Sequence, residues 1–153
     1  MTRTLYEQDV VRWAQEQARL LREGEFERLD VEHIADEIED VGKSEQRELA
    51  SRTALLIAHL LKWQYQPQKR SKSWRGTIAI QRKSIARRIA ATPSLEAMLG
   101  DPEWRTDIWL DAVQSAIEDT GLDLAALPAD CPWPIELALD PDFWPDAPAQ
   151  GPS

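Results

Sequence analysis

What is scarce in this chain narrows it first. A single cysteine, Cys131, stands among 153 residues, so neither a disulfide framework nor a four-cysteine zinc site can form within one chain, and a reducing compartment, the cytoplasm, is the expected setting. Asparagine is absent altogether, and with it every N-glycosylation acceptor. No run of about 18 apolar residues occurs, the most apolar stretch being Ala54 to Leu61. The opening MTRTLYEQDV has no apolar signal-peptide core, so a chain that neither spans a membrane nor is exported is expected. Strand-like alternation and internal repeats are missing too. The most telling absence is local: residues 51 to 92 carry 10 bases and not one acid.

The net charge of −9 therefore averages unlike segments. Residues 1 to 50 hold 14 acids against 7 bases, and residues 93 to 153 hold 13 acids against Arg105 alone. The segment balances are −7, +10 and −12.

Helical periodicity runs through all three. Thr4 followed by Glu7 reads as a capping box, with Tyr6, Val10, Trp13, Leu20 and Leu21 recurring behind it, so a first helix is expected to run to Glu23 and end at Gly24. Asp30 can cap a second helix with the apolar stripe Val31, Ile34, Ile38 and Val41, closed or kinked at Gly42. From Ser44, Leu49, Thr53, Leu56, Leu60 and Trp63 mark a central buried helix that Pro67 ends. After an exposed polar loop, Gln66 to Ser73, a fourth helix carries Trp74, Ile78, Ile85 and Ile89 on one side and Arg75, Arg82, Lys83, Arg87 and Arg88 around the rest. Ser94 opens a short helix to Leu99. Asp101 and Pro102 open another that Gly121 closes. Seven of the ten prolines follow Leu122, so that remainder is expected to be irregular apart from a turn at Ile135 to Leu139, and 146–153 to be disordered. The expected fold is all-α: a single domain, 1–145, built as one bundle of five to six helices with a Pro/Trp-rich C-terminal segment packed on it.

Five stretches carry a family likeness. His33-Ile-Ala-Asp-Glu-Ile-Glu-Asp-Val-Gly-Lys-Ser-Glu, Ala58-His-Leu-Leu-Lys-Trp-Gln, Arg70-Ser-Lys-Ser-Trp-Arg, Cys131-Pro-Trp-Pro and Asp142-Phe-Trp-Pro, in that order and spacing, resemble the bacterial domain-of-unknown-function family twenty-nine over nearly the whole chain. The resemblance implies a helical bundle and no activity, and it brings no catalytic or binding residues with it. His33 stands where the family pattern favours Asn, which weakens a family-wide role for it.

The chemical motifs are mostly incomplete. Gly42-Lys43-Ser44 ends like a phosphate-binding loop, but Glu37 occupies the position that needs glycine and no strand precedes it. No serine elbow, dinucleotide fingerprint or zincin motif is present. His33, Glu37 and His59 could serve a metal-dependent enzyme, but the paired Glu-x-x-His pattern of di-metal bundles is missing, and Glu37 with His59 is expected instead as a buried polar pair. Cys131 lacks a partner histidine and reads as a small buried hydrophobe. No cofactor and no resident metal is expected.

Three roles follow in order. The first is a non-enzymatic module that binds a protein partner or forms a homo-oligomer, resting on the segregated charge and seven tryptophans. The second is nucleic-acid or other polyanion binding through 69–88, with Lys69, Arg70, Lys72, Trp74, Arg75 and Arg82 interleaving cations and aromatics. The third is the metal enzyme. Carboxylates elsewhere in the chain could saturate the basic segment from within, so whether Lys69 to Arg88 face carboxylates or solvent decides between the bland and the functional reading.

Overall fold

A computed structural model describes residues 3–147. Most of the 146–153 tail expected to be disordered lies outside these residues. The described chain forms seven α-helices and no strand, as the missing strand periodicity predicts, and divides into two compact units, Met1–Glu45 and Gln46–Ser153.

The N-terminal unit begins with α1 (Leu5–Gln8) and α2 (Val10–Glu23). One helix was expected here, but Asp9 interrupts it with an extended backbone, and its carboxylate accepts the Arg12 amide at 3.1 Å to cap α2. Asp9 serves better as an N-cap than as an interior residue, because its side chain competes for backbone donors. Gly24 closes α2 at φ 73°, a left-handed conformation that favours glycine. A 3-10 turn (Phe26–Arg28) leads into α3 (Val31–Tyr65). The buried side chains of this unit are Trp13 and Leu20.

α3 is 35 residues long and runs straight through Gly42 and Ser44, where a break was expected. The two apolar stripes are in one register: Val31, Ile34, Ile38 and Val41 continue through Glu45 to Leu49 in steps of four, so a single helix satisfies both. An interior glycine costs only about 1 kcal/mol against alanine, too little to stop it.

The second unit is built around the rest of α3, with α4 (Lys72–Ala91), α5 (Glu96–Leu99), α6 (Pro102–Thr120) and α7 (Ile135–Leu139). Helix α4 starts inside the expected loop because the Ser71 hydroxyl accepts the Trp74 amide. Asp101 caps α6, and Gly121 ends it at φ 73°. Ser94 caps nothing; it sits in a 3-10 turn, Pro93–Leu95. α3 buries two faces. Leu49, Leu56, Leu60 and Trp63 pack with Ile78 and Ile85 of α4 and with Leu95 and Ala138. Ile57, Ala58 and Leu61 pack with Ile108, Trp109, Ala112, Val113 and Ala116 of α6 and with Leu127 and Ile135. No helix among the described residues is long and apolar enough to cross a membrane.

Candidate functional site

In the second unit, the end of α3 and the start of α4 bring the basic segment against two tryptophans. Trp63 and Trp144 lie with ring centroids 4.7 Å apart. Arg70 sits over Trp63 at 4.8 Å, and Arg75 contacts both rings, at 5.2 Å from Trp63 and 5.0 Å from Trp144. Arg70 also donates Nε to the Trp63 carbonyl at 2.7 Å and one Nη to that of Pro145 at 3.4 Å. Arg70 is therefore held by a π-face and two carbonyls, and Arg75 by two π-faces, with no carboxylate paired to either among the described residues.

Arg82 belongs to a different category from its neighbours. It is 4% exposed, and its fork donates to the carbonyls of Ala138 at 2.9 Å, Pro141 at 3.4 Å and Phe143 at 2.7 Å. Burial pulls its pKa down, and Asp140 partly offsets that. Arg82 ties the Pro/Trp-rich segment to α4 and is not part of an open surface. Trp74 is half-buried against the α3–α4 core, with Lys62 Nζ at 5.9 Å from its ring.

Carboxylates meet the basic segment at few points. Lys62, buried, pairs with Asp119 at 2.6 Å, and Glu48 takes Arg52 at 2.9 Å and Arg88 at 3.4 Å. Lys69, Arg70, Lys72, Arg75, Lys83 and Arg87 have no ion-pair partner among the described residues. Within the chain, carboxylates thus pair with Arg52, Lys62 and Arg88 and leave these six cations without one among the described residues. Trp63, Arg70, Ser71, Lys72 and Arg75 line an open basin of about 470 Å³. Trp63 and Trp144 were not among the expected site residues. Their signal lay in the Lys62-Trp63 and Phe143-Trp144 pairs of the family-like motifs, which say nothing about which cation each ring receives.

The N-terminal unit carries its own polar cluster. Asp30 accepts the Trp13 indole N–H at 3.0 Å and lies 2.7 Å from His33 Nδ1. The His33 ring stacks on Tyr6 at 4.0 Å, and the Tyr6 hydroxyl donates to Glu37 at 2.5 Å. The Asp30 bond raises the His33 pKa, and the His33 and Trp13 bonds lower that of Asp30. The Glu37 bond pushes Tyr6 up to about 12.

The buried Glu37–His59 pair is not formed. It required the chain to fold back near Gly42, whereas α3 continues. Glu37 is instead occupied by Tyr6, and His59 Nδ1 by the Leu55 carbonyl at 2.9 Å. Burial holds the His59 pKa below its usual value. No group of three or more His, Cys, Asp or Glu among the described residues could hold a metal ion, so His33, Glu37 and His59 are not gathered into a ligand set. Gly42-Lys43-Ser44 lies in the helix interior and offers no phosphate loop. Burial raises the pKa of Cys131, which is half-buried with its thiol directed at the Trp133 carbonyl. That disfavours the nucleophilic thiolate.

The chain matches the family model described as Domain of unknown function DUF29 over residues 5–144, and it belongs to that family. No curated protein and no solved structure matches it.

Proposed function

We propose, for this member of a family without assigned chemistry, a non-enzymatic interaction module whose N-terminal unit receives a basic amphipathic helix from a partner protein. The observation that carries this reading is the exposure of three of the four residues of the α3 stripe: Val31, Ile38 and Val41 are 65%, 67% and 67% exposed, with Ile34 half-buried between them, although their spacing is that of a buried seam. Phe26 beside the start of α3 is exposed as well. Apolar residues grouped on one face of a helix, rather than scattered, mark a surface that something covers.

Charge selects the occupant. Residues 1 to 45 hold 13 acids and 6 bases, and by the 100° advance per residue Glu37 and Glu39 fall on either side of the stripe. A second copy would bring like charge to like charge, whereas a basic amphipathic helix supplies apolar anchors at matching spacing and cations for the rim.

The test is fluorescence anisotropy with a labelled 18-residue leucine–lysine peptide of helical amphipathic pattern. Binding is expected to weaken at least about tenfold, equal to 1.4 kcal/mol, in Ile38→Asp and in Val41→Asp. Both positions are exposed, so the fold is retained. A scrambled peptide of the same composition that binds equally well would reduce the face to bulk charge and overturn the reading. So would a concentration-dependent doubling of mass that Ile38→Asp abolishes, since the occupant would then be a second copy.

A further inference from the structure

The basic surface of the second unit is not used by that reading, and it rests on separate observations. Along α4, Lys72, Arg75, Lys83 and Arg87 fall within one face by the 100° advance per residue, and Gly76, Ala79, Ala86 and Ala90 fill the positions between them. The face is a line of cations over a floor of small residues. From residue 72 to 87 it extends about 22 Å at 1.5 Å per residue. Lys69 and Arg70 continue it past the helix start, where the basin opens and the Ser71 hydroxyl caps the first turn.

Four features decide what this surface takes. The cations have no carboxylate partners among the described residues, so their charge is uncompensated locally. Arg70 and Arg75 are fixed in place by Trp63, Trp144 and backbone carbonyls, which lowers the ordering cost of binding. Their stacking also occupies the tryptophan faces, so these rings are poor platforms for bases. The cations lie in a row rather than in one cluster, which suits a chain of charges better than a compact ion. We infer that this face of α4 binds the phosphodiester backbone of a single-stranded nucleic acid, without reading its bases.

The probe is fluorescein-labelled oligodeoxythymidylate of 15 nucleotides, titrated with the full chain at several salt concentrations. Neutralising about four phosphates on a single strand gives a slope of log affinity against log salt near −3, at −0.7 per phosphate. The double variant Lys72→Glu, Lys83→Glu should bind at least tenfold more weakly, and its slope should flatten by about 1.4. Both side chains are exposed and partnerless among the described residues, and unchanged circular dichroism would show the fold retained. Lys43→Glu, in the N-terminal unit, changes net charge by the same sign and should leave binding within twofold. Three results would each overturn the inference: no binding at low salt, equal losses in Lys43→Glu and the double variant, or thermal stabilisation by inorganic pyrophosphate without oligonucleotide binding. The last would point to a compact oxyanion site.

Discussion

At the scale of single residues, the same side-chain type does opposite work depending on what surrounds it. Arg75 is open, unpaired with carboxylate and stacked on two indoles. Arg82, seven positions later, is buried and spent on three carbonyls. Nothing in the one-dimensional pattern separates them, since both belong to a run of 10 bases without an acid. The difference comes from carbonyls between Ala138 and Phe143, more than fifty residues away. Arg82→Lys tests the structural role. Lysine keeps the charge but has no planar fork, so carbonyls are left unsatisfied in a buried site. The expected loss is about 2 to 4 kcal/mol in urea unfolding followed by tryptophan fluorescence. A loss below about 0.5 kcal/mol would mean that the three bonds contribute nothing net. Oligonucleotide binding should survive at urea concentrations where the variant is still folded, because Arg82 lies outside the proposed row of cations.

At the scale of elements, the sequence made most helices legible and misjudged their ends. Capping chemistry was reliable where one residue dominates, as at Asp101-Pro102 and at Gly24 and Gly121, both with φ 73°. It misled at Gly42. The glycine and the following Ser44 resemble a stop and a start, yet the register of apolar residues on either side is continuous, and register outweighs the cost of one interior glycine. That single misreading also removed the Glu37–His59 pair, because two helices folded back are needed to make it. Gly42→Ala should accordingly stabilise the chain by about 0.5 to 1 kcal/mol. Its backbone is helical, and an added Cβ would meet nothing within 4 Å. Gly121→Ala serves as the contrast: its space is also open, but φ 73° penalises an L side chain and the variant should lose stability. A pair of thermal melts distinguishes the two outcomes. Destabilisation by Gly42→Ala would show that the helix needs a break there after all.

At the scale of the whole molecule, charge and core are distributed unevenly, and the two distributions run together. The N-terminal unit is acidic and buries Trp13 and Leu20. The second unit holds two clusters of buried residues around α3 and the stretch without acid. Stability follows apolar burial at roughly 25 cal/mol per Å², so the free energy of local opening cannot be uniform along α3 even though the helix is continuous. The exposed stripe belongs to the segment with the smaller core, where a partner helix would supply the burial that the chain itself does not. Native-state hydrogen exchange should therefore show amides of Val31 to Val41 exchanging at least tenfold faster than those of Leu49 to Trp63, with a step near Glu45 rather than a gradual slope. Adding the leucine–lysine peptide should slow the first set and leave the second unchanged, because binding to one conformation protects only the amides that open without it. Equal protection along the whole of α3 in the free protein would mean that the N-terminal unit is stabilised by something other than its own core, and the exposed stripe would lose its claim to a missing partner.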